Sequence, residues 1–365
     1  MTIATADAPA RARLSRADKV HLARILGFVL FLHLLGWGLL VLVVAPRHYE
    51  VGGGFLGVGL GLTAYTLGMR HAFDADHIAA IDNTTRKLLA DGQRPVSVGF
   101  WFSLGHSSVV FVMVMGVALG VRALSGSVQD GDSALLRAAG IWGPMVSGLF
   151  LLAIGLINFA ALVGIVRVLR GMRQGHFDEA ELERQLDSRG LLTRILGRVT
   201  RVVRKPRHMF PIGFLFGLGF DTVTEVGLLV IAGGSVAASL PWWAVLTLPV
   251  LFAAGMSLLD TLDGAFMEVA YGWAFARPAR KIYYNLTVTA LSVAVAMVIG
   301  IASLGSMLGK QLGGPLTVFN RLDLEYVGYG VAALFLAGWA LSVAFWKLGR
   351  VEERWSATGM QPRRN

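Results

Sequence analysis

The 365 residues contain no cysteine. That excludes disulfides, thiolate metal sites, iron–sulfur clusters and thiol redox chemistry. Charge is also scarce. Only 15% of residues are Asp, Glu, Lys or Arg, against about 25% in an ordinary soluble protein, so a soluble fold of this length would lack polar surface. No P-loop or soluble nucleotide-binding segment is present, so ATP is not hydrolysed by this chain and no obligatory ATPase subunit is evident. The His-Glu-x-x-His protease motif is missing, and 8 histidines are too few for a membrane di-iron site built from histidine boxes. The chain does not read as an enzyme.

What is abundant is apolar surface. Hydrophobic residues make up 55% of the chain, mean hydropathy is +0.62, and 45 glycines suit close packing of transmembrane helices. Eight segments are each long enough to cross a bilayer: 21–45, 53–83, 96–121, 139–162, 210–240, 242–275, 282–308 and 326–348. The expected fold is therefore all-α, a polytopic membrane protein of eight spans. The polar, basic start and the long first apolar run do not form a cleavable signal.

Most of the 33 basic residues fall in the N-terminal tail, after spans two, four and six, and in the C-terminal tail. Arg47, Arg122, Arg137, Lys310 and Arg321 lie elsewhere, and Arg70 lies within a span. This asymmetry places both termini in the cytoplasm. It also assigns the net charge of +10 to cytoplasmic loops near anionic lipid rather than to nucleic acid. The layout is a tail (1–20), spans one to four (21–166), a basic cytoplasmic loop (167–208), spans five to eight (209–348) and a tail (349–365).

Ionisable groups inside a membrane are costly and usually functional. Here they are concentrated. Span two carries Arg70-His71-Ala72-Phe73-Asp74-Ala75-Asp76-His77-Ile78, then Asp82 and Asn83; span three carries His106. Span five carries Asp221, Thr222 and Glu225, and span six Asp260, Asp263 and Glu268. Eight carboxylates face one fixed cation, Arg70, so the interior calls for cations: protons or a bound divalent metal. The histidines favour a metal softer than Mg²⁺ or Ca²⁺. Bland readings remain for some of these groups. His33 reads as a packing residue, His106 as intermediate because its neighbours Gly105 and Ser107 also suit ordinary helix packing, Asp82 and Asn83 as caps on the cytoplasmic end of span two, and Glu268 as interfacial.

On a straight helix, His71, Asp74 and His77 form a spiral stripe with steps of about 60°, and Asp76 lies about 140° from His71. His71 and His77 would stand about 9 Å apart along the axis, too far to share one ion. The spacing therefore predicts a break or bend near Gly68–Asp76, a device that recurs in transporters.

At these residues the chain closely resembles the nickel/cobalt transporter family of membrane permeases, whose hallmark is Arg-His-Ala-x-Asp-Ala-Asp-His-Ile. The stretches 102–110, 218–225 and 251–264 resemble that family's further signatures, so the likeness spans the whole chain. It implies high-affinity uptake of Ni²⁺, Co²⁺ or both across a bacterial cytoplasmic membrane, with no cofactor and the metal ion as substrate. It also implies His71, Asp76 and His77 as the core of metal recognition, with Asp74 and His106 beside them. Asn83, Asp221, Thr222, Glu225, Asp260 and Asp263 are then expected to line or support the path. The alternative is a proton-coupled transporter of another solute, with the same His and Asp groups as the relay.

The motifs also resemble one another. Ala72-Phe-Asp in span two echoes Gly219-Phe-Asp in span five, and Phe102-Ser-Leu-Gly-His-Ser in span three echoes Phe252-Ala-Ala-Gly-Met-Ser in span six, at nearly the same offset. Those pairs run in opposite directions through the membrane. The pattern reads as an inverted repeat relating spans one to three to spans four to six.

Overall fold

The computed structural model describes residues 15–51, 54–118, 134–173, 203–219, 240–275, 278–321 and 327–348. The described residues are almost wholly helical. Ten α-helices run in chain order: α1 Arg16–Leu39, α2 Val58–His71, α3 Ala75–Ala90, α4 Val98–Ala118, α5 Ala134–Arg173, α6 Met209–Gly217, α7 Trp242–Val245, α8 Thr247–Phe275, α9 Pro278–Leu312 and α10 Val327–Leu348. A two-residue hairpin, β1 Glu50–Val51 with β2 Gly54–Phe55, links α1 to α2. Among the described residues, five helices are long and apolar enough to cross a membrane: Arg16–Arg47, Val98–Gly116, Arg137–Gly164, Trp242–Tyr271 and Thr289–Leu312. The protein is thus an all-α polytopic membrane protein.

The helix starts differ from the sequence expectation. Residues 16–20 are already helical as the start of α1, because Ser15 and Asp18 form a capping box that satisfies the first turn. The Arg94 guanidinium donates to the Asp18 carboxylate, tying this end to the segment after α3. At the other end of span four, α5 continues to Arg173, so the first residues of the basic segment are helical. Residues 174–202 of that loop lie outside the described residues, as does most of span five.

α8 is the central strut. It packs against α1, α2, α3 and α4, while α4 also packs along α6 and α5 pairs with α9. The α8 and α4 contacts depend on glycine. Gly68 of α2 lies against the Phe252 carbonyl of α8, and Gly255 of α8 against the Tyr65 carbonyl of α2. Gly105 of α4 lies against the Phe210 carbonyl of α6, and Gly213 of α6 against the Phe102 carbonyl of α4. A methyl group at any of the four would overlap the opposing backbone, so small residues set the helix spacing.

Toward the outside of the bundle, α1 turns Leu30, Phe31 and Leu34 outward, and Leu42 just beyond it follows, as a lipid-facing surface requires. α3 has the opposite character. Eight of its residues are polar or charged, yet every position from His77 to Leu88 is buried. α4, α5, α8, α9 and α10 surround it. Asp82 and Asn83 are therefore not caps on a helix end but lie at mid-helix, wholly enclosed, and Arg86 and Lys87 are buried rather than in a loop. The helix continues past the expected end of span two because protein, not lipid, meets its polar groups. Lys87 Nζ, for example, donates to the Val203 carbonyl at 2.7 Å and to Asp91 at 2.8 Å. Glu268 is buried within the protein as well.

Candidate metal site

Span two is broken within its motif. α2 ends at His71 and α3 starts at Ala75. No proline or glycine occupies the break. Instead, the last turn of α2 tightens, with Phe73 N–H donating to the Arg70 carbonyl and Asp74 N–H to the His71 carbonyl, both at 2.9 Å. Asp74 then adopts extended backbone (ψ 139°) as the N-cap of α3. α10 covers the break: Gly328 lies against the Phe73 carbonyl, and Tyr329 stacks on Phe73 with ring centres 5.0 Å apart.

The break folds His71 back toward His77. Their ring centres are 4.7 Å apart, against the roughly 9 Å a straight helix would impose. His106 of α4 completes a near-equilateral triangle, 4.7 Å from His71 and 4.8 Å from His77. One nitrogen from each ring falls within 4.8 Å of the other two. His71 Nε2 and His106 Nε2 are 3.0 Å apart, the separation of two ligands held about 2 Å from a common ion. All three imidazoles are at most 3% exposed. Phe102 meets the His77 ring edge-on at 4.7 Å, and Phe252 lies 5.9 Å from His71, so the triangle has apolar walls.

Carboxylates sit around this triangle. Asp74 Oδ2 is 2.9 Å from His71 Nδ1. Asp260 Oδ2 of α8 is 3.7 Å from His77 Nδ1, and neither Asp260 oxygen accepts a hydrogen bond among the described residues. Asp76, in the first turn of α3, accepts the His77 backbone N–H at 3.0 Å. These acids meet the positive end of the α3 dipole, which would otherwise repel a cation. The negative end of α2 faces the same break.

Of the residues expected from sequence, the structure brings together His71, His77 and His106, with Asp74 and Asp260 in contact with two of them. Asp76 and Asp263 are outside the three-histidine group, and Asp263 keeps a buried Oδ2 without a hydrogen bond among the described residues. Asn83 lies farther along α3. Asp221, Thr222 and Glu225 fall outside the described residues. His33 is a packing residue: its ring contacts the Val29 carbonyl at 2.8 Å and Tyr65 Oη at 3.2 Å. Phe102, Phe252 and Asn158 were missed. Asn158 is a lone, uncharged amide in an apolar run.

A helical membrane bundle with three buried imidazoles at a helix break defines a membrane metal-ion carrier by class. Residues 57–345 match the NicO family, described as high-affinity nickel-transport protein, and the chain belongs to that family of permeases. It is 56% identical over 346 residues to the nickel transporter NicT of Mycobacterium tuberculosis, covering 94% of this chain and 93% of that one. It is 42% identical over 332 residues to the high-affinity nickel-transport protein NixA of Helicobacter pylori strain 26695, covering 88% and 95%. It is also 39% identical over 336 residues to the cobalt transport protein NhlF of Rhodococcus rhodochrous, covering 91% and 94%. No solved structure matches the chain.

Proposed function

We propose that this protein takes up Ni²⁺, Co²⁺ or both across the cytoplasmic membrane as a single-component secondary permease. The observation that carries the reading is the convergence of His71, His77 and His106 at the break between α2 and α3. Ni²⁺ and Co²⁺ both accept imidazole ligands and are neighbours in affinity order. In this reading the three histidines bind the ion, and Asp74 and Asp260 orient His71 and His77 as outer-sphere carboxylates. Asp76 balances the α3 dipole beside the ion. Asp263 and Asn83, with Asp221, Thr222 and Glu225, line or support the path.

The bundle crosses the membrane eight times with both termini inside, following the distribution of basic residues. The ion then enters at the α2 side of the break and leaves along α3. An inside-negative potential favours a dication by about 4.6 kcal/mol per 100 mV, twice the single-charge value, which supplies a driving force without ATP. The two halves form an inverted repeat. The reciprocal glycine contacts support this. Tyr65 and Gly68 with Phe252 and Gly255 join α2 to α8 in the same way that Phe210 and Gly213 with Phe102 and Gly105 join α6 to α4.

Uptake of radiolabelled Ni²⁺ and Co²⁺ by cells expressing the wild type and His71→Ala, each ion competing with the other, tests the function. The expected result is uptake by the wild type and its loss in the variant. Wild-type cells that take up neither ion would overturn the function, and full uptake by His71→Ala would overturn the site.

A further inference from the structure

The buried polar seam of α3 continues beyond the histidines. Asn83 Nδ2 donates to the Ala79 carbonyl of its own helix at 2.8 Å. Its Oδ1 accepts from Asn158 Nδ2 of α5 at 2.8 Å and from Arg86 at 3.0 Å. The Tyr271 hydroxyl of α8 donates to Asp82 Oδ1 and lies 3.4 Å from Ser292 Oγ of α9. Three neighbouring helices thus pin one stretch of α3.

Within this well-built frame the cation is poorly held. Asp82 has no exposure, and its Oδ2 accepts no hydrogen bond among the described residues. It faces the Arg86 guanidinium at 4.0 Å, beyond hydrogen-bond distance. Arg86 is 4% exposed, lies 6.0 Å from the centre of the Tyr271 ring, and has Nε and one terminal nitrogen without acceptors among the described residues. A guanidinium built only to stabilise this interface would form a two-pronged pair with Asp82. A buried carboxylate oxygen and a buried cation left half-satisfied are costly, and the mismatch calls for a second occupant.

We propose that Asp82 and Asn83, framed by Asn158 and Tyr271, form a second, oxygen-donor station for the transported divalent cation, and that Arg86 sits there as a resident cation in this conformation. The inference rests on reading the histidine cluster as the site of a transported metal ion. Asp82 follows His77 by five residues on the same helix, about 7.5 Å along the axis. Its donors are a carboxylate oxygen and an amide carbonyl oxygen, weaker ligands for Ni²⁺ or Co²⁺ than imidazole. A weaker site after a tight one lets an ion move on instead of remaining trapped. Guanidinium and metal ion cannot share the station. Arrival of the ion displaces Arg86, and the return of Arg86 expels the ion.

The test counts Ni²⁺ bound to purified protein in lipid nanodiscs by equilibrium dialysis, alongside radiolabelled Ni²⁺ uptake in cells. The wild type is expected to bind one ion per chain, Arg86→Gln two, and Arg86→Gln with Asp82→Asn one again. Asp82→Asn alone keeps the single ion but lowers uptake by ~10-fold or more. A folded Arg86→Gln protein that still binds one ion overturns the station while leaving the histidine site intact. Should Arg86→Gln not fold, Asp82→Asn decides: uptake equal to the wild type overturns the proposal. A wild type that binds no Ni²⁺ instead removes the histidine reading on which the station rests.

Discussion

α3 and α4 each deliver a histidine to the same point, His77 from one and His106 from the other, yet they are built on opposite principles. α4 is 21 residues long and apolar on nearly every side, and its exceptions are His106 and three serines. α3 is 16 residues long and half polar. The polar helix is nevertheless the more enclosed, buried without interruption from His77 to Leu88, whereas α4 exposes Val112 and part of Trp101, Leu104 and Phe111. Hydropathy therefore reports which helix tolerates lipid, not which lies deepest. A polar helix in a membrane protein has to be surrounded by protein, and five helices enclose α3, meeting part of its polar groups and leaving Asp82 Oδ2 and part of Arg86 without partners among the described residues.

This contrast makes separate demands on the two helices. The largest expected effect is on α4: His106→Ala removes one of three imidazoles and should lower Ni²⁺ affinity by more than the ~100-fold that marks the upper range for an outer-sphere partner. Equilibrium dialysis measures it, and unchanged affinity would reduce α4 to a packing element. Next, at the start of α3, Asp74→Asn should weaken Ni²⁺ binding by ~10- to 100-fold with little change in thermal stability. A loss of stability without a loss of affinity would make the Asp74 side chain a stabiliser of the break rather than a partner of His71. Gly105→Ala should then cost about 1–3 kcal/mol by forcing α4 off α6, read as a lower unfolding midpoint in detergent. The smallest effect belongs to Ser103→Ala, which removes the 3.1 Å hydrogen bond from α4 to Ser257 of α8 and should cost about 0.6 kcal/mol.

Much of the site is legible in the sequence. Two histidines and two aspartates in seven residues of an apolar segment marked the candidate metal site, and the helical repeat showed that His71 and His77 needed a break between them to meet. His106 was legible as a lone imidazole in an apolar helix. The inner half of α3 was not. Asp82, Asn83, Arg86 and Lys87 have the composition of a helix end running into a basic loop, and only contacts with Asn158, Val203 and Tyr271, distant in the chain, show that they are buried. Asn158 itself is uncharged, so nothing in its local pattern separates it from a tolerated packing amide.

The sequence by itself determined the solvent of this protein and the chemistry of its site. Long apolar runs must leave water, and imidazoles with carboxylates inside them call for a cation. Tertiary structure decided where the chain bends, which third helix completes the triangle and how far inward the polar seam of α3 extends. Those outcomes depend on backbones brought close by Gly68, Gly105, Gly213 and Gly255 and on hydrogen bonds between residues far apart in sequence. Such interactions have no periodicity along the chain and form only when the helices have packed.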